Sequence, residues 1–146
     1  MRQSISGVTT TKKLIRSVTS WARSDDRVVA LVLVGSHARD AARVDSDIDF
    51  VLISSQPASL LNDHSWQHTF GEPCNMLHED WGLVQSIRVF YSDLEVEFGI
   101  AGLEWVQPPI DPGTAEVIAQ PLRVLFDPDS LIAIAKADVC RGSKLT

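Results

Sequence analysis

Seven consecutive apolar residues, Val28 to Val34 (VVALVLV), form the most regular feature of the chain, and their β-branched content and length predict a strand covered on both faces. Upstream, Leu14, Val18, Trp21 and Ala22 recur at helical spacing among lysines and arginines, which predicts an amphipathic helix from Thr10 to Ser24. Gly35 ends the first strand, and Ser36 is an N-cap candidate for a short helix reaching Arg43. Asp47 to Ser54 (DIDFVLIS) begins polar and turns apolar, as a second buried strand would. Pro57 opens a helical stretch expected to run to about Phe70, where Gly71-Glu72-Pro73 closes it. Three strand-like runs come next, Asn75 to Glu79, Gln85 to Tyr91 and Leu94 to Ile100, with turns at Trp81-Gly82 and Ser92-Asp93. Beyond Pro108-Pro109 the pattern predicts a helix at Thr114 to Ala119, a strand at Leu122 to Phe126, and a helix from Asp129 to about Val139 started by Asp127-Pro128-Asp129. This order predicts an α/β (α+β) fold, a mixed β-sheet core flanked by helices.

Composition narrows the picture. The 146 residues are 45% hydrophobic and 22% charged, which suits a single domain over 1–146 with a real core. No run approaches the ~18 apolar residues of a membrane span, and Met1 to Thr11 lacks a hydrophobic signal core. The expectation is therefore a soluble cytoplasmic protein with no membrane partner. The formal net charge of −6 argues against extended duplex nucleic acid, which favours a basic face. It leaves room for a nucleotide, whose phosphate charge a divalent cation can carry. Cys74 and Cys140 make no CxxC or His/Cys cluster and are expected as buried or partly buried thiols.

The chemistry concentrates between Gly35 and Phe50. Asp47 and Asp49 are two apart on a strand, so both carboxylates leave the same face. Like charges this close oppose each other's ionisation unless a cation intervenes. A hard divalent ion such as magnesium does so with one or two carboxylates plus substrate phosphates. The alternating segment Leu94 to Phe98 offers a third carboxylate, Glu95 or Glu97, to hold a second ion or take the proton of an attacking hydroxyl. Gly35 lets the backbone approach a phosphate, Ser36 offers a hydroxyl, and Arg39 and Arg43 are candidate phosphate contacts.

Gly35-Ser36, ten intervening residues, then Asp47-x-Asp49 on a strand resembles the signature of the DNA polymerase beta superfamily of nucleotidyltransferases. The wording Gly-Ser-x-Ala-Arg and Ser-Asp-Ile-Asp looks most like small bacterial members, the minimal nucleotidyltransferases and the aminoglycoside and lincosamide adenylyltransferases. The motif covers about 20 residues, and the resemblance extends loosely over 28 to 100. It implies a metal-dependent enzyme moving a nucleoside monophosphate, AMP from ATP first among them, onto a hydroxyl of a small molecule or protein. It also implies that Asp47, Asp49 and a later acid hold Mg2+, as a two-metal site, and that Gly35, Ser36 and Arg39 hold the triphosphate. Glu97 is preferred as the third acid because it sits deeper in the apolar run, although Glu95 shares its face. Asp40 stands where small members often carry Gly, and the third acid is Glu where Asp is commoner. The stretch after residue 100 is short beside the acceptor-binding helical bundles of antibiotic-modifying relatives, so a homodimer or protein partner is expected to complete the cleft.

Plainer readings accompany each of these. Asp47 and Asp49 also suit a solvated strand end, Gly35-Ser36 a simple turn, and Glu95 with Glu97 the wet face of an edge strand. His37 reads as incidental, His64 and His68 permit a shared ion without a further partner, and Trp66, Trp81 and Trp105 read as packing residues before pocket residues. Two rival functions remain: an antitoxin-type member that binds or modifies a helical partner protein, and an inactive nucleotide-binding module.

Overall fold

A computed structural model describes residues 7–39 and 47–145. Helix α1 (Gly7–Ser24) leads into strands β1 (Val28–Val34) and β2 (Ile48–Ser54), then helix α2 (Pro57–Asn62). Strands β3 (Asn75–Trp81), β4 (Val84–Phe90) and β5 (Glu95–Ala101) come next, then helix α3 (Pro112–Ala119), strand β6 (Arg123–Phe126) and helix α4 (Leu131–Leu145). Single 3-10 turns cover Trp66–Phe70 and Leu103–Val106. The strands make one mixed sheet in the order β3-β4-β5-β2-β1-β6, in which β2 and β5 are the parallel neighbours.

Each face of the sheet has its own core. Leu14, Val18 and Ala22 of α1, together with Leu60 and Trp66, cover Leu31, Leu33, Phe50, Leu52, Phe98 and Ile100. Phe50 and Phe98 stack with ring centroids 5.7 Å apart, Trp66 meets Phe98 edge-on at 5.0 Å, and Trp21 stacks on Trp66 at 4.8 Å. Such ring pairs add to the burial of their area. The buried indole Nε1 of Trp66 donates to Leu60 O at 3.0 Å, so its polar atom is satisfied inside the core. On the opposite face Trp105, Val106, Ile118, Ile132 and Ala135 cover Ala30, Val32, Val51, Ile53 and Ala101.

Most elements lie where the hydrophobic pattern predicts, and the exceptions have local causes. The expected helix from Pro57 to Phe70 is two pieces. Asp63 Oδ1 accepts from both the backbone N (2.9 Å) and the hydroxyl (2.5 Å) of Ser65, drawing the chain into a side-chain turn instead of another helical turn. The last helix begins at Leu131 and not at Asp129, and within the expected Asp127-Pro128-Asp129 signal Asp127 does the capping, accepting from Leu131 N at 2.8 Å and Ile132 N at 3.0 Å. The expected helix after Gly35 is, over Ser36 to Arg39, a hydrogen-bonded turn, and its remainder with Asp40 and Arg43 lies outside the described residues. Cys74 and Cys140 are exposed rather than buried, since Cys74 precedes the outermost strand and Cys140 sits on the outer side of α4. Among the described residues no helix is long and apolar enough to cross a membrane.

Candidate active site

The sheet register assembles one polar row. Val34 pairs with Asp49 across β1 and β2, Asp49 with Glu97 across β2 and β5, and Glu97 with Arg88 across β5 and β4. Side chains opposite one another on neighbouring strands leave the same face. Asp47, just ahead of β2, and Glu95, at the start of β5, precede this row on that face, and the register gathers these acids into one cluster. Oxygens of Asp47, Asp49 and Glu97 all lie within 4.8 Å of one another, and among the described residues no other set of three such ligand groups does. Glu95 joins through Arg88 and not through this triad. His64 and His68 are separated by the break after α2 and form no such group.

The glycine turn abuts the same carboxylate. Gly35 has φ +76°, and a Cβ placed there would lie 2.5 Å from Asp49 Oδ2. Only glycine accepts both the left-handed backbone and that approach. Ala38 N and Arg39 N both turn back to donate to Gly35 O, at 3.1 and 3.3 Å. Ser36 and His37 are half-buried in this turn, and Arg39 is exposed.

Arg88 is the cation of the cluster. Its Nη1 donates to Asp47 at 3.1 Å and Glu95 at 2.5 Å, its Nη2 to Glu97 at 2.6 Å, and its Nε to Glu79 at 3.3 Å. Ser86 Oγ donates to the other Glu97 oxygen at 3.0 Å. Burial works to lower the Arg88 guanidinium, but hydrogen bonds to Glu95 and Asp47 and the charges of Glu97 and Glu79 outweigh it and hold it above its usual value. Asp49 receives none of these donors. Desolvation first, then the charges of Asp47 and Glu97, push its carboxyl up to about 7, against a smaller opposing pull from Arg88. A half-buried acid at that value beside two more carboxylates is a site with surplus negative charge. Its all-oxygen donor set fits a hard divalent cation.

Sequence reasoning named the acids and the glycine but missed Arg88, Ser86 and Glu79. The signal was present: Ser86 and Arg88 alternate with Ile87 and Val89 on a strand joined by the tight Ser92-Asp93 turn to the strand bearing Glu97.

Comparison with known proteins bears on the same region. The family model described as streptomycin adenylyltransferase matches residues 8–94, more than half of the chain, and ends just before Glu95 and Glu97. No curated protein matches the chain in sequence. A solved aminoglycoside 6-adenyltransferase from Bacillus subtilis is similar at 14% identity and a TM-score of 0.48, over 63% of this chain and 36% of that one. Cid1, solved in complex with the UTP analog UMPNPP, is similar at 13% identity and a TM-score of 0.47, over 66% of this chain and 31% of that one. The chain thus spans about a third of the length of these two solved proteins.

Proposed function

The chain belongs to the streptomycin adenylyltransferase family, a family of nucleotidyltransferases, and on that premise we propose that it transfers a nucleoside monophosphate, AMP from ATP, to a hydroxyl acceptor in a magnesium-dependent reaction. The observation that carries this reading is the meeting of three carboxylates, Asp47 just ahead of β2, Asp49 in β2 and Glu97 in β5, within 4.8 Å and flush against the Gly35 turn. Asp47, Asp49 and Glu97 hold the metal. When bound, magnesium supplies the positive charge that lets a triphosphate lie against this acidic face and steadies the oxygens of the transferred group.

The protein's own groups divide the remaining work. The turn at Gly35 and Ser36 brings backbone N–H groups and a hydroxyl to the phosphates without an intervening Cβ, and Arg39, exposed at its end, reaches the phosphate tail. The acceptor oxygen forms its bond to the α-phosphorus while the bond from that phosphorus to the bridging oxygen breaks. Pyrophosphate leaves with the electron pair. Glu97, the acid hydrogen-bonded to Ser86 and Arg88, takes the hydroxyl proton. Arg88 keeps Asp47 and Glu97 gathered before the nucleotide arrives, so less ordering remains for the binding step. We read 1–146 as one nucleotidyltransferase domain, working in the cytoplasm, where ATP and magnesium are at hand.

Incubation with α-labelled ATP, magnesium and a panel of hydroxyl acceptors tests the proposal. Label should move to an acceptor in the wild type and not in Asp49→Asn. Equal transfer by that variant, or no magnesium-dependent ATP binding by the wild type, removes the assignment.

A further inference from the structure

On the face that carries the acids, the rows change character over four residues of strand. The innermost row is Ala30, Ile53, Ala101 and Val84, the next is Val32, Val51, Gly99 and Ser86, and the outermost holds Asp49, Glu97 and Arg88. The middle row has no large side chain on β5 or β4, and a cavity of about 290 Å³ opens above it, roofed by Thr114 and Val117 of α3. A Cβ at Gly99 would lie 3.0 Å from Val84 Cγ1 and 3.7 Å from Ser86 Oγ, so this glycine keeps the floor low. The walls are mainly apolar: Val34, Val51, Val84, Trp105 and, at the β3-β4 turn, Trp81 and Leu83.

Three observations say what belongs there. First, Glu97 is the one member of the carboxylate triad that lines this cavity, while Gly35 and Ser36 do not line it. Its contents therefore meet the site at Glu97, the proton-accepting member of the triad, with Val34 in the wall but not the phosphate turn itself. Second, Trp81 and Leu83 are 62% and 43% exposed at the mouth, apolar surface that a ligand would cover. Third, the charged side chains in the walls are Glu97 and Asp111 alone: Glu97 already faces the Arg88 cation, and Asp111 is spent as a helix cap. Glu97 accepts from Ser86 and Arg88, and Asp111 caps α3 by accepting from Gly113 N at 3.0 Å and Thr114 N at 3.3 Å. A polycation finds no uncommitted row of acids in these walls.

We propose that this cavity is the acceptor subsite and that the acceptor is an uncharged hydroxyl compound built on an apolar ring, not a polycation. The proposal rests on the transfer reading above and deepens it. The volume, at the small end for ligand pockets, admits one ring and its substituents. The ring lies against Trp81, Leu83 and Trp105, which turns the hydroxyl toward Glu97 and Ser86.

Calorimetry on the nucleotide-free protein tests this with 4-nitrophenyl-β-D-glucoside, methyl-β-D-glucoside and streptomycin as probes, while ATP with magnesium is titrated separately. The nitrophenyl glucoside should bind at least about tenfold more tightly than its methyl counterpart, since ring burial alone supplies that factor. Trp81→Ala and Leu83→Ser, both at exposed positions, should each weaken it about tenfold and leave ATP affinity within twofold. Weaker ATP binding in these variants would assign the cavity to the nucleotide base and overturn the proposal. So would tighter binding of streptomycin than of the aryl glucoside, or equal affinity for the two glucosides. Absent magnesium-dependent ATP binding in the wild type would instead strike at the transfer reading, and the two failures are read in different titrations.

Discussion

The two faces of the sheet are built from the same strands and end differently. Under α1 and the 66–70 turn, apolar packing continues to the last row, where Ile48, Val96 and Val89 are fully buried. On the opposite face, at that same end of β2 and β5, stand Asp47, Asp49, Glu95 and Glu97. The dry face can be completed by close-packed side chains alone, whereas the wet face accumulates like charge that only a cation relieves. Arg88 supplies one such cation and leaves Asp49 without a hydrogen bond from it. The difference teaches that both faces carry a packed core, but at this end of the strands one face continues it to the last row and the other gives it up for charge.

The largest effects should come from breaking each face where it is most itself. Phe98→Ala removes a fully buried ring that contacts Phe50, Trp66 and Phe70, and should cost about 3–5 kcal/mol in urea unfolding. Asp49→Asn, one row away on the other side of the sheet, should do the reverse. Transfer of labelled AMP falls at least about a hundredfold, and the metal-free protein unfolds no more easily than wild type at pH 8. A clear loss of stability in Asp49→Asn would mean that the acid face is structural.

Gly35→Ala tests the seam between phosphate turn and acid cluster. The left-handed backbone and the 2.5 Å approach to Asp49 Oδ2 should together cost about 1–3 kcal/mol, and magnesium-dependent ATP binding should weaken in the same titration. Arg88→Met removes the internal cation. Because Asp47 and Glu95 remain substantially exposed, the cost should be about 1–2 kcal/mol of metal-free stability, with magnesium restoring more of the melting temperature than it adds to wild type. A variant that melts like wild type without metal would deny Arg88 its place-holding role.

The pH dependence sharpens the comparison at a single carboxylate. The Asp49 carboxyl is raised from an ordinary value near 4 to about 7, so the folded protein takes up protons that the unfolded chain releases. Its stabilising contribution is complete below about pH 4, fades as pH rises toward 7, and is gone above. Magnesium competes with that proton, so its affinity should rise from pH 5 to 7 and then level off. Urea midpoints and magnesium titrations over this range measure both, and Asp49→Asn should flatten each curve. An unchanged slope in the variant would assign the titration to another group.

How far the sequence reached is clearest at particular residues. The strand at Val28–Val34 and the acid pair ahead of Phe50 were legible because burial on both faces and period-two alternation leave direct traces in residue order. Glu97 as against Glu95 was legible only as a preference, since both share a face and the choice depends on which one lies opposite Asp49. The break after Asn62 was decided by one hydrogen-bonding competition at Asp63 that hydrophobic spacing does not record. By itself, then, the chain determined its strands, its buried faces and the identity of its acids, because those depend on local periodicity. Only the tertiary structure decided that Arg88 would stand among four carboxylates and that Gly99 would open a cavity beside Glu97. Both depend on the register between strands remote in sequence, and no local pattern fixes that register.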